Sequence, residues 1–147
     1  MNVFVSRTLD FRLAIPADSV AALRDLRDVE GYGDGPPNRN ESIVRDAESG
    51  LAYVRLPLLL GAETDRAEGG FCGIFLKEGF GERAVLLGGK VVDSVDLEEG
   101  RLHPVPRPLA GSGFSALFSG LGFTDRAETA FFLLDVEGLL LRIRDGR

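Results

Sequence analysis

One carboxylate, Asp135, sits at the centre of AFFLLDVEGLL, the stretch from Ala130 to Leu140 in which eight side chains are apolar. An ionised acid among hydrophobic neighbours has a displaced pKa, which is the property a catalytic acid requires. The alternative is architectural: a buried strand stops at Leu134, and Asp135 opens a turn of helix. The other chemically capable residues decide between the two.

Gly31, Gly33 and Gly35 suggest a phosphate cradle, but no clear strand precedes them and no Lys-Ser or Lys-Thr pair follows. GSGFSALFSGLGF, residues 111–123, is also glycine-rich and contains neither GxSxG nor GK[ST]. A single His103 and a single Cys72 cannot build the nitrogen and sulfur shell that zinc prefers. The acidic run Asp93, Asp96, Glu98 and Glu99 is either a cation site or a solvated strand end, and such runs are usually the latter. Nucleophilic catalysis needs a base beside Ser or Cys. His103 lies between Leu102 and Pro104, and Cys72 sits in an apolar segment where an inert buried thiol is expected. Two carboxylates in a cleft remain possible as an acid–base pair, but no motif supplies the groups of a common mechanism. The expectation is no enzymatic activity, no cofactor and no metal.

At 147 residues the chain has the length of one ordinary domain, large enough to bury roughly 68–70% of its unfolded surface without staples. Hydrophobic residues make up 44% and charged residues 27%, as in soluble globular proteins. One cysteine excludes an internal disulfide. The net charge of −6 argues against nucleic acid, whose phosphates require a basic face. MNVFVSRTLDF lacks the basic start and apolar core of a signal peptide, and no run approaches the ~18 apolar residues of a membrane span. A cytoplasmic protein without membrane insertion is expected. Fifteen of the basic residues are Arg and only Lys77 and Lys90 are lysines, which suits carboxylate pairing at an interface and equally reflects genomic base composition.

The elements that must position these residues are mostly short apolar runs separated by turns. NVFVSR and FRLAI flank Thr8-Leu9-Asp10 as a hairpin. SIVRD (42–46) and LAYVRLPLLL (51–60) flank AESG, and FCGIFLKE (71–78) and ERAVLLGG (82–89) flank Gly79-Phe80-Gly81. VVDSVDL, SALFSGLGF and AFFLL complete roughly nine or ten strands, the pattern of an all-β sandwich or barrels. PADSVAALRDL reads as a helix, with Pro16 at its opening and Val20, Leu23 and Leu26 at helical spacing. DVEGLLLRI reads as a short helical turn capped by Asp135, because Gly138 costs about 1 kcal/mol relative to Ala. EGYGDGPPNRNES, residues 30–42, reads as a mobile loop. No internal repeat is present, and one domain is the simplest organisation.

Three stretches resemble the CheW-like domain, the adaptor fold of bacterial chemotaxis. FVSRTLDFRLAIPADSVAALRDL resembles its first segment, a strand and turn followed by IPxxxV. ERAVLLGGKVVDSVDLEEGRLHPVP is similar to its GLxVDxVxxVxxL segment with the following PxP, and FSGLGFTDRAETAFFLLDVEGLL to its ending in LLD. The resemblance implies two intertwined five-stranded SH3-like barrels with one or two short helices. It implies that Asp135 ends a strand and begins a helix. It also implies a non-enzymatic adaptor whose partners are a methyl-accepting chemoreceptor tip, a CheA-type histidine kinase and other CheW-like adaptors.

Carried over residue by residue, the receptor groove of that family falls on Val20, with Leu23 beside it, and on Arg45. The surface towards a kinase or another adaptor falls on Pro108 and Leu109. The plainer alternatives are that Val20 and Leu23 are core, Arg45 a surface charge and Pro108 a strand terminator. The middle of the chain departs from the family's NLRG…PφφDLR pattern. Asp46 follows Arg45 where Gly is usual, Ala52 replaces Pro, Arg55 replaces Asp, and farther on Gly89 replaces the VD acid. The acidic residue that often accompanies the motif Arg would fall at Ala22. Three functions compete: a coupling adaptor, an accessory adaptor that binds receptor or other adaptors but not kinase, and a small-ligand barrel or carboxylate enzyme.

Overall fold

The computed structural model describes residues 1–8, 11–25, 41–61, 72–97, 102–103, 117–123 and 130–146. Most of the 30–42 loop, and with it Leu26, Pro108 and Leu109, lies outside the described residues.

The first hairpin forms where the apolar alternation requires it. Strands β1 (Asn2–Thr8) and β2 (Phe11–Pro16) pair antiparallel from Val3↔Pro16 to Thr8↔Phe11. The helix expected over PADSVAALRDL is absent. Ala17–Ser19 make a single 3₁₀ turn, and Val20–Asp25 form strand β3 against β6 (Cys72–Leu76). Long-range pairing overrides the local signal. The three-residue spacing of Val20 and Leu23 arises instead from a register shift between Val20 and Ala22, which sets both residues opposite inward positions, Leu76 and Ile74.

Strands β4 (Ile43–Arg45) and β5 (Ala52–Arg55) follow, and the apolar run ends earlier than its hydrophobicity suggests. Leu56–Leu59 turn into one turn of helix, α1, with Pro57 near its start, where a missing N–H costs no hydrogen bond. Next come β7 (Ala84–Leu87), β8 (Lys90–Asp96), the two-residue β9 (Leu102–His103), β10 (Phe118–Phe123) and β11 (Ala130–Leu134). Helix α2 (Val136–Asp145) closes the chain.

Two sheets result. One has the order β8-β1-β2-β11-β10-β9, the other β3-β6-β7-β5-β4. The fold is therefore all-β with two small SH3-like units, as expected, the first sheet having β9 as a short sixth strand. The two units interleave: the chain leaves the first sheet after β2, completes the second from β3 to β7, and returns at β8. The first sheet is joined by a parallel contact between β2 and β11, Phe132↔Leu13 and Leu133↔Ala14.

Period-two alternation sorts side chains between cores. On β2, Leu13 and Ile15 join the largest cluster, while Ala14 faces a second cluster with Val3, Val5, Phe131 and Leu133. On β7, Ala84 and Leu86 join the largest cluster, and Val85 and Leu87 face a third with Tyr53 and Phe75. The largest cluster thus takes residues from both sheets and from α2, and each sheet is buried on two faces at its centre.

Helix α2 is longer than the short turn expected from Gly138. Asp135 accepts a hydrogen bond from the Gly138 N–H at 3.0 Å, and Gly146 ends the helix at φ 71. A Cβ at position 138 would lie 2.5 Å from Asp135 Oδ2, so glycine there makes room for the cap. Burial of Val136, Leu139, Leu140 and Ile143 offsets the propensity cost. The question posed by the acid is answered: Asp135 caps a helix.

Candidate functional site

Arg45 projects from β4, an edge strand, and meets Glu82 at the entrance to β7. Its two terminal nitrogens donate to the two carboxylate oxygens, Nη1 to Oε2 at 2.7 Å and Nη2 to Oε1 at 3.0 Å. Nη1 also donates to the Gly50 carbonyl at 3.0 Å. A bidentate arrangement of this kind is the strong form of an ion pair. The Glu82 side chain is only 11% exposed, and the Arg45 side chain 46%. The hydrogen bonds from Arg45 hold the Glu82 carboxyl below its ordinary range. Burial opposes that shift, and the positive charges of Arg45 and of Arg144 on α2 add to it. The same bonds raise the Arg45 guanidinium, against a smaller effect of burial.

The loop after Arg45 is built around Asp46. Its carboxylate accepts from the Ser49 hydroxyl at 2.6 Å, the Ser49 N–H at 3.2 Å and the Glu48 N–H at 3.4 Å. The Ser49 hydroxyl is the main cause of its lowered pKa. Asp46 thus organises the turn that Gly would otherwise supply, and Gly50 completes it at φ 72. Arg83 Nη2 donates to the Ser49 carbonyl at 2.8 Å, a second tie between this loop and the β6–β7 turn.

A cleft of about 480 Å³ opens beside the clamp, between β4 and the end of α2. Glu41, Ser42, Ile43, Arg45, Arg142 and Ile143 line it. Glu82 itself closes the β6–β7 turn, bridging to Gly79. Phe80 occupies its first central position at φ 53 and Gly81 its second at φ 75. Such backbone strain at a bulky residue costs about 1–3 kcal/mol.

Of the sequence-derived candidates, Val20, Leu23 and Arg45 lie among the described residues. Val20 is half-buried against the largest core, and Leu23, 43% exposed, stands on the same strand. Arg24 beside them sits over the Phe75 ring at 5.6 Å. In strand order β3 and β4 are the two ends of their sheet, and neither Val20 nor Leu23 lines the Arg45 cleft. Ala22, where the resemblance would put an acid, lies on β3, and the carboxylate that pairs with Arg45 is that of Glu82. Sequence reasoning overlooked Glu82; the signal was a carboxylate placed directly after a Gly-Phe-Gly turn, at the mouth of an apolar strand.

The other departures are structural. Arg55 is buried, 1% exposed, in β5. Gly89 is a packing requirement: a Cβ there would overlap the Ser6 hydroxyl and lie 3.1 Å from Thr8 Oγ1 and 3.2 Å from Leu56 Cδ1. Among the described residues no group of three or more His, Cys, Asp or Glu is placed to hold a metal ion. Asp93 and Asp96 are exposed on β8, and Asp96 lies 3.4 Å from the N-terminal ammonium. His103 is exposed, and Cys72 is a half-buried free thiol. No helix among the described residues is long and apolar enough to cross a membrane.

Two interleaved sheets sharing a core, with a capped C-terminal helix, define a CheW-like fold. No protein-family model matches the chain, and no curated protein sequence does. Among solved structures, the chain is similar to the scaffolding protein TtCheW from Thermoanaerobacter tengcongensis. The TM-score is 0.67 at 16% sequence identity, covering 94% of this chain and 86% of that one.

Proposed function

We propose that this chain is a non-enzymatic adaptor of a chemosensory array, a single cytoplasmic CheW-like domain that holds a chemoreceptor tip and a CheA-type histidine kinase together. One observation carries the reading: the likeness to the scaffolding protein TtCheW over 94% of the chain at TM-score 0.67. The helix-capping role of Asp135 supports it, because the acid best placed for catalysis by sequence is engaged in architecture. An adaptor of this kind works by contact: it binds both partners, and the conformation of each biases the other through it. Val20, Leu23 and Arg45 are the proposed receptor contacts, and Pro108 and Leu109 the proposed contacts with kinase or other adaptors. Titrating the isolated protein with a receptor-tip fragment and, separately, with a kinase regulatory domain tests the reading. Binding to both is expected; binding to neither removes it.

A second reading has its own support. Arg45 takes its acidic partner from the β6–β7 turn instead of from β3, so the charged surface differs from the family's arrangement. An accessory adaptor that binds receptor or another adaptor, but not kinase, would carry such a change. Kinase binding as strong as receptor binding decides against it.

A further inference from the structure

Two arginines stand on the strands that carry the proposed receptor contacts, and they differ in what holds them. Arg45 commits both terminal nitrogens to Glu82. Arg24, on β3, is exposed, and among the described residues no oxygen accepts a hydrogen bond from it and no carboxylate pairs with it. Its neighbour is aromatic instead: the guanidinium lies over the half-buried Phe75 ring, 5.6 Å from the centroid. The ring's π face attracts the cation but uses none of its N–H groups as a carboxylate would. The contact restricts the side chain, so less rotamer freedom is lost when a partner engages those donors.

The sequence explains why the donors are open. Strand β3 pairs regularly with β6 from Ala22↔Phe75 to Arg24↔Gly73, so Ala22 and Arg24 share a face. The acid that the CheW-like resemblance puts at position 22 would lie beside this guanidinium, and alanine leaves it without an internal counter-ion. Among the described strands β3 ends its sheet. Leu23, 43% exposed, borders that edge from one face and Arg24 from the other. Arginine beside apolar surface is enriched at interface centres. The net charge of −6 disfavours polyanions such as nucleic acid or an acidic membrane, so the match is one carboxylate set among apolar side chains.

We propose, resting on the adaptor reading, that Arg24 determines specificity in the receptor contact. It pairs with one Asp or Glu side chain of the receptor tip, beside an apolar side chain that packs on Leu23. The recognising charge thereby passes from Arg45, which is engaged internally, to Arg24.

Calorimetric titration of the full chain with a chemoreceptor-tip fragment, at about 50 and 200 mM salt, tests the assignment. Arg24→Ala should weaken binding about tenfold and Arg24→Glu about a hundredfold. Arg24→Lys should recover only part of the loss, because an ammonium keeps the charge without the planar fork. Ala22→Glu, which supplies an internal counter-ion, should weaken binding about as much as Arg24→Ala. Wild-type affinity should fall more steeply with salt than that of Arg24→Ala, a difference that a merely structural role would not produce. The Arg24 variants should melt within about 3 °C of wild type, so their lost affinity is not unfolding. Wild-type affinity in Arg24→Glu or in Ala22→Glu overturns the assignment and leaves the adaptor reading standing. A wild-type chain that binds no receptor tip overturns both.

Discussion

Arg45 and Glu82, 37 residues apart in the chain, meet through two parallel hydrogen bonds that lock the β4–β5 hairpin onto the β6–β7 turn. With the Arg83–Ser49 tie, they add side-chain links to two hairpins that the parallel β5–β7 ladder already joins. Arg45 is the charge that the family resemblance marks for partner recognition, so the clamp sets the position of a proposed contact.

Removing Arg45 strands a mostly buried carboxylate. Arg45→Ala should lower the unfolding free energy by about 1–2 kcal/mol, and Glu82→Gln by less, because the amide keeps one acceptor for the arginine. Urea unfolding of the two variants checks the order. Equal losses would contradict it.

The pair also fixes a pH dependence. The folded-state pKa of Glu82 is depressed, so its contribution is complete above the unfolded carboxyl value near ~4.3 and is lost as pH falls through the folded value. The stability gap between wild type and Glu82→Gln should therefore be constant from neutral pH down to about 5.5 and shrink below about 4. Chemical unfolding at a series of pH values reads it directly. A gap that persists undiminished at pH ~2 would show that the charge of Glu82 contributes nothing.

Gly138 and Asp135 should behave as a coupled pair. Alone, Asp135→Ala should cost about 1 kcal/mol through loss of the cap. Gly138→Ala improves helix propensity, yet its methyl would meet the capping carboxylate at 2.5 Å, so it should destabilise wild type. In an Asp135→Ala background the same change should stabilise. A double-mutant cycle by thermal unfolding measures that reversal of sign.

Restoring the family's acid at position 89 should fail. Gly89→Asp would drive a charged side chain into the buried hydroxyls of Ser6 and Thr8 and into Leu56. A loss of about 3 kcal/mol or more is expected, seen as a lower melting temperature or insoluble protein. A variant of normal stability would show that this corner opens readily.

The sequence disclosed what local patterning controls. Alternation in NVFVSR and FRLAI and the Gly-Phe-Gly turn marked two hairpins, and the break after Leu134 marked the start of α2. It misled where distant partners decide. Val20 and Leu23 keep a helical interval inside a bulged strand because β6 offers a pairing edge. Leu56–Leu59 leave the sheet although nothing in their hydrophobicity separates them from Ala52–Arg55. The resemblance singled out Arg45 only as a proposed partner contact. Its ion-pair partner, Glu82, was not legible, since an ion pair formed across two hairpins leaves no interval to read.

The parallel contact between β2 and β11 has a consequence for biogenesis. The amino-terminal hairpin leaves the ribosome first, yet the strand that completes its sheet is made more than a hundred residues later. At about 5–20 residues per second, that hairpin waits several seconds with an apolar face uncovered. The inner unit, β3 to β7, has all its strands long before then. A nascent chain stalled before Ala130 should thus hold one finished sheet and one orphaned ribbon, the species a chaperone would meet.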